Sequence, residues 1–279
     1  MPLPVVDYTA EDAPQRFVKS LKETGFGILI NHPIPQSLVT SIYQDWQDFF
    51  NSKEKHHFVF DAEKQDGYFS PDISETAKNH TKKDIKEYFH VYPWGRIPAA
   101  LKDDILKYYQ LASELARELL DWVEKYSPEH VAKHYSEPLS NMINDTPNTL
   151  LRVLHYPPLT GDEEAGAIRA AAHEDINLLT LLPAANEAGL QVKCQDGSWL
   201  DVPSDFGNLI INIGDMLQET SHGYFPSTTH RVINPSGKAN RNSRISLPLF
   251  LHPRSEVKLS ENHTQASYLL ERLRELGVK

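Results

Sequence analysis

Two side chains able to bind a metal stand two residues apart in His173-Glu174-Asp175. On an extended chain that spacing sends His173 and Asp175 to one face and Glu174 to the other. Alone, His-x-Asp carries little information: with 13 histidines in the chain, about one such triplet arises by chance. The third ligand is expected at His230, at the start of another predicted strand that a folded sheet can bring beside the first. Two neutral imidazoles and one carboxylate leave coordination positions open on one face, the set used by non-haem iron(II) oxygenases; zinc favours a tetrahedral site. His56, His57, His130 and His134 lie in helical or charged surroundings without a strand-borne carboxylate. His222 lies in a Ser221-His222-Gly223 turn and is the nearest competitor of His230.

Arg244-Ile245-Ser246 repeats the period of two. Arg244 and Ser246 share a strand face, while Ile245, Leu247, Leu249 and Leu251 line the other. A guanidinium beside a hydroxyl suits a carboxylate, because arginine offers a planar fork of donors and each charge-assisted hydrogen bond contributes about 1.5–3 kcal/mol. On Leu150–Tyr156 the shared face carries Arg152, Leu154 and Tyr156. Tyr156 can add a phenolic donor to the same carboxylate, with simple packing as its alternative. Arg152 needs a counter-charge if buried.

These residues need strands to hold them, and the second half of the chain supplies them. From Thr149 onward short β-rich runs alternate with turn signals: 150–156, 177–182, 189–193, 199–202, 209–213, 230–234 and 244–251, with Asp196-Gly197 as a hairpin turn. Closely spaced strands of this kind make a sandwich or jelly roll. Residues 1–145 read as mostly helical around one apolar strand, Gly27 to Ile30. Thr9 and Asp12 resemble a capping box, opening a helix that Gly25 ends. A second helix follows Pro35 with Leu38, Ile42, Trp46 and Phe49 at helical spacing, and a third runs from about Ala99 to Lys125. Residues 61–98 read as an irregular loop region with short elements.

Composition narrows the classes further. A chain of 279 residues with 40% hydrophobic and 24% charged residues is ordinary for a globular protein, and no apolar run is long enough to span a bilayer. The net charge of −10 without a basic stripe argues against nucleic acid. One cysteine, Cys194, and a start lacking a basic-then-apolar leader favour a reducing cytoplasm.

Taken in order, His173-x-Asp175, Gly189-Leu190-Gln191-Val192, Asn212-Ile213-Gly214-Asp215-Met216-Leu217, Ser227-Thr228-Thr229-His230-Arg231-Val232 and Arg244-x-Ser246-Leu247-Pro248-Leu249-Phe250 resemble the isopenicillin N synthase-like branch of the iron(II)/2-oxoglutarate dioxygenases. Leu3 to Asp7, Thr24 to Gly27, Asn31-His32-x-Ile34-Pro35 and Phe49-Phe50 are similar to that branch's N-terminal region. The resemblance implies a mainly β fold with flanking α: a double-stranded β-helix (jelly roll) core with a helical N-terminal region and a C-terminal helix. It implies one catalytic unit over 1–279, divided into 1–145, a core at 146–255 and a C-terminal helix at 256–279. It also implies Fe(II) on His173, Asp175 and His230, with 2-oxoglutarate held by Arg244, Ser246 and Tyr156. Leu154 replaces the asparagine that the branch carries two residues before its tyrosine. Gly214-Asp215 is a strand-end turn there, which makes Asp215 structural.

The activity so implied is oxidation of a small organic molecule by dioxygen, by hydroxylation, desaturation or ring closure. It is coupled to decarboxylation of 2-oxoglutarate to succinate, with ascorbate as an optional reductant. Three alternatives stand beside it: an iron oxidase of the isopenicillin N synthase type that does not use 2-oxoglutarate, a non-catalytic binding protein on the same fold, and a zinc hydrolase. Tyr68, Phe69, Phe89 and an amphipathic stretch from Ser267 to Leu276 are candidates to border the substrate. The expected partner is a small-molecule substrate, with no nucleic acid and no membrane. Oligomeric state is left open.

Overall fold

The structure is a computed structural model that describes residues 3–73, 84–235 and 241–275. The N-terminal region supplies β1 (Val5–Asp7), α1 (Ala13–Thr24), β2 (Phe26–Ile30), α2 (Gln36–Asn51), β3 (Gly67–Phe69), β4 (Glu87–Val91), α3 (Lys102–Lys125) and a short α4 (Glu129–Ala132). Then come β5 (Leu150–Tyr156), β6 (Ala170–His173), β7 (Leu179–Pro183), β8 (Leu190–Lys193), β9 (Trp199–Asp201) and β10 (Leu209–Ile213). The chain continues with α5 (Asp215–Thr220), β11 (His230–Val232), β12 (Arg244–Ser246), β13 (Leu249–Phe250) and α6 (Gln265–Glu275).

The strands form a nine-stranded sheet in the order β1-β2-β10-β7-β13-β5-β4-β3, with β12 also on β5, and a four-stranded sheet in the order β6-β11-β8-β9. Alternation along the strands of the large sheet builds two cores. Leu29, Leu151, Leu181, Ile211 and Leu249 pack under the helices with Phe17, Trp46 and Leu119. Ile28, Leu154, Leu182 and Ile210 instead meet Leu190, Val192 and Val232 of the small sheet. The large sheet is thus covered on both faces, and β7 and β10 are buried at every residue. This is the β-sandwich of a jelly roll, with helices backing one side.

Three expectations need correction. Helix α1 begins at Ala13, and its Asp12 N-cap makes no side-chain cap bond. Thr9 bonds back to Asp7 through both its N–H and its hydroxyl, so the capping box does not form. Within the loop region 61–98 the expected short elements are β3 and β4, and β4 pairs with β5 along its whole length. Strand 244–251 is interrupted: Leu247-Pro248 separates β12 from β13, and Pro248, lacking an N–H, only accepts a bond, from the Arg152 N–H at 3.0 Å. Finally, Ala170–His173 is a strand that the pattern missed. Gly25 does end α1, at φ 74, where it lies against Thr228 and Pro226 so closely that a Cβ would collide.

Candidate metal centre

Two sheets meet at His173, Asp175 and His230. His173 ends β6 and pairs directly with His230, the first residue of β11. Asp175 sits on the turn just past β6. One donor atom from each residue lies within 4.8 Å of the others, and no other such group of three occurs among the described residues. The Asp175 Oδ1 atom is 3.8 Å from Nε2 of His173 and 3.7 Å from Nε2 of His230.

Hydrogen bonds aim every donor. His173 Nδ1 is 2.8 Å from the Ala171 carbonyl and His230 Nδ1 is 3.1 Å from the Thr228 carbonyl. A carbonyl can only accept, so each Nδ1 carries the proton and each Nε2 presents a lone pair to the centre. Asp175 Oδ2 accepts from the Thr180 hydroxyl at 2.6 Å and from the Asn212 amide at 2.8 Å, leaving Oδ1 to face the imidazoles. Burial, then the neighbouring His230, push His173 down to about 4, so it is neutral near pH 7. Burial alone would raise the Asp175 carboxyl, but the two histidines and the Asn212 and Thr180 hydrogen bonds outweigh it and keep it ionised. Two imidazole nitrogens and one carboxylate oxygen, each pre-aimed, fit a divalent transition metal.

The large sheet provides the floor in one cross-strand row: Phe26 opposite Asn212, Asn212 opposite Thr180, and Thr180 opposite Phe250. Phe26 also sets its ring edge-on to His230, centroids 5.7 Å apart. Asn212 and Thr180 were not singled out in the sequence, although Asn212 stands inside the Asn-Ile-Gly-Asp word. Asp215 opens α5 and donates its N–H to the Asp175 carbonyl at 2.7 Å, which matches a structural role. His222 lies away from the centre, stacked on His134 with centroids 3.9 Å apart.

On the large sheet, β12 lays Arg244 opposite Tyr156 and Ser246 opposite Leu154. Arg244 is 2% exposed and Ser246 is also buried. The Arg244 Nε donates to the Glu187 carbonyl at 3.0 Å, its guanidinium lies 5.2 Å from the Tyr156 ring centroid, and its Nη1 is buried without a hydrogen-bond partner. Burial lowers the Arg244 pKa from its ordinary value, an effect that Tyr156 and Tyr43 partly offset. A third residue, unforeseen from the sequence, joins them: Arg169, fully buried just before β6, with its guanidinium 5.9 Å from the same ring.

Further along the same face of β5, Arg152 lays its guanidinium 4.4 Å from the Tyr88 ring centroid and donates from Nε to His90 at 2.9 Å. Of the aromatic candidates, only Phe69 faces the space between the sheets, stacked on Tyr88. Phe89 and Tyr68 turn instead to the helix side, Phe89 packing on Trp46 and Phe49 and Tyr68 donating to Glu87. The C-terminal stretch is helical over Gln265–Glu275, with Tyr268 buried and Leu270 exposed; Leu276 lies outside the described residues.

The comparisons follow the same lines. The 2OG-Fe(II) oxygenase superfamily profile matches residues 147–253, and the N-terminal profile of non-haem dioxygenases in morphine synthesis matches residues 3–110. A crystal structure from Caulobacter crescentus, assigned to the 2OG-Fe(II) oxygenase family, is 30% identical with a TM-score of 0.80, covering 98% of this chain and 99% of that one. The chain belongs to the 2OG-Fe(II) oxygenase superfamily. The oxygenase is also similar to a protein of known structure from Shewanella oneidensis assigned as an oxygenase, at 63% identity and TM-score 0.91 over 100% of both chains. Among curated relatives, it is 26% identical to gibberellin 2-beta-dioxygenase 3 of Arabidopsis thaliana over 92% of this chain and 77% of that protein. The oxygenase is thus an oxidoreductase of the iron(II)- and 2-oxoglutarate-dependent class with a jelly-roll core, and no helix among its described residues is long and apolar enough to cross a membrane.

Proposed function

We propose that His173, Asp175 and His230 hold the iron(II), and that Arg244, Ser246 and Tyr156 receive the distal carboxylate of 2-oxoglutarate. The observation that carries this reading is the locked donor set, in which both Nδ1 atoms and Asp175 Oδ2 are occupied so that only Nε2, Nε2 and Oδ1 remain for an ion. When bound, iron(II) supplies activation of dioxygen, coupling decarboxylation of 2-oxoglutarate to oxidation of a substrate C–H bond. The protein's part is placement. Arg244 and Tyr156 fix one end of the co-substrate, and the buried space between the sheets excludes water from the other.

The substrate is a small organic molecule. Its binding wall is the strip of the large sheet beyond the metal ligands: Phe250, Arg152, His90, Tyr88 and Phe69. A flat guanidinium laid on an aromatic ring, bordered by further rings, suits a planar or anionic substrate group. Pairing of β2 with β10 ties the first 145 residues to the core, which supports a single catalytic unit. The N-terminal profile match favours the isopenicillin N synthase-like branch, and the single Cys194 a reducing cytoplasm.

Anaerobic titration of the iron(II)-loaded protein with 2-oxoglutarate tests the assignment. A visible charge-transfer band should appear in the wild type and be absent in His230→Ala. A wild-type protein that binds iron(II) yet shows neither the band nor succinate formation would favour an oxidase that does not use the co-substrate.

A further inference from the structure

Two buried arginines face one tyrosine ring with no carboxylate hydrogen-bonded to either among the described residues; the Glu187 carboxylate acts on both only from a distance. Arg169 is 0% exposed and Arg244 2%. Arg169 Nη2 donates to the Asn242 carbonyl at 2.8 Å, and Arg244 Nε donates to the Glu187 carbonyl at 3.0 Å. Among the described residues, Arg169 Nε and Nη1 and Arg244 Nη1 are buried and bond to nothing. Each such N–H loses its hydration without compensation, and breaking up a buried charge from its counter-ion is among the costlier defects a fold carries. Burial and then the field of Arg244 both lower the Arg169 pKa, as expected for two like charges in one dry space.

A scaffold has no use for such a pair; a site for an anion does. We infer that Arg169 is a second binding residue for the distal carboxylate of 2-oxoglutarate, acting with Arg244 across the face of Tyr156. The inference rests on the assignment of that carboxylate to Arg244, Ser246 and Tyr156, and adds to it a residue outside the Arg-x-Ser word. One carboxylate has about four lone-pair sites, enough to accept from both guanidinium edges while its charge relieves their mutual repulsion. Burial and a guanidinium 5.9 Å from the Tyr156 ring centroid place Arg169 facing inward.

The experiment compares two ligands on iron(II)-loaded protein without oxygen: 2-oxoglutarate, and 2-oxopentanoate, which keeps the chelating end but lacks the distal carboxylate. In Arg169→Met, the dissociation constant for 2-oxoglutarate should rise about 30-fold, while that for 2-oxopentanoate stays within about twofold. Arg169→Lys, which keeps the charge but not the fork, should lose about fivefold for the diacid only, and it serves alone if the methionine variant fails to fold. Equal weakening of both ligands, or of neither, overturns the inference. A wild type that prefers 2-oxoglutarate, a preference erased by Arg244→Met and untouched by Arg169→Met, would remove Arg169 and leave Arg244 standing. A wild type with no preference would remove both.

Discussion

His155 and Tyr156 are neighbours on β5 that face opposite ways, and each centres a buried polar cluster. On the helix side, Glu87 of β4 accepts from His155 at 2.7 Å, from Lys55 at 2.9 Å and from Tyr68. Lys55 also donates to the Phe50 carbonyl at 2.6 Å, His155 reaches Ser243 at 3.2 Å, and the Phe50 ring stacks on the imidazole. The carboxylate is answered within the fold. On the inter-sheet side, Tyr156 lies under Arg244 and Arg169, whose guanidinium edges are left open. Both clusters are deep, and both place ions in a poor dielectric. The difference teaches what each is for: a completed buried network belongs to the scaffold, and one short of a negative charge belongs to a ligand.

The contrast can be broken from either side. The largest effect is expected at Glu87→Ala, which orphans Lys55, His155 and Tyr68 together and should cost about 3–5 kcal/mol of stability, read by chemical denaturation. Arg244→Met should do the reverse. It removes an unanswered cation, so the unliganded protein should unfold at an unchanged or higher denaturant concentration while 2-oxoglutarate binds about 100-fold more weakly. If Arg244→Met were as destabilising as Glu87→Ala, the two clusters would be alike and the contrast would fail. Thr180→Val deletes one of the two donors on Asp175 Oδ2 and should weaken iron(II) binding about 10-fold or somewhat more, measured by competition with a chelator, with stability little changed.

The smallest effect is one of pH. Burial pushes the Glu87 carboxyl up, but His155, Tyr68 and Lys55 more than offset this and hold it below the usual glutamate value. A carboxyl depressed in the fold adds stability that is complete above its unfolded pKa and is lost as pH falls through the folded one. Glu87→Gln should therefore flatten the fall in stability below about pH 4.5 and leave its slope near neutrality alone. An unaltered acid limb in that variant would place the titration elsewhere.

The sequence exposed the candidate metal-binding group, His173, Asp175 and His230, and Arg244-Ile245-Ser246 because short words with a period of two survive translation into strands. It concealed Arg169 for a different reason: the arginine stands just before β6, beside a stretch that the pattern did not read as a strand. Strand β6 was also hard to see, since Ala170 to Ala172 lacks β-branched or aromatic side chains. Strand β4 was hidden by its surroundings. All five of its residues are buried, so a glutamate and a histidine inside it read as solvent-facing polarity when each is in fact partnered. The helices with long apolar stripes were legible almost to their ends, and α1 was misread only at its start, where Asp7 takes the bonds that a cap would use.

The turn that carries Asp175 is fastened from outside the metal centre. Gly214 donates to the Leu178 carbonyl at 3.0 Å, Asp215 to that of Asp175 at 2.7 Å and Met216 to that of Asn177 at 3.0 Å. The fit leaves no room for a Cβ on Gly214, which would strike Asn177. None of these bonds involves an ion, so chelation should empty the centre without melting the frame around it. A rigid frame of two imidazoles and a carboxylate also exerts little choice, because copper(II) and zinc(II) outrank iron(II) at nitrogen and oxygen donors. Mismetallation is the hazard built into this fold, and the supply of metals around the protein, more than the protein itself, decides whether the centre is filled by an ion that can react with oxygen.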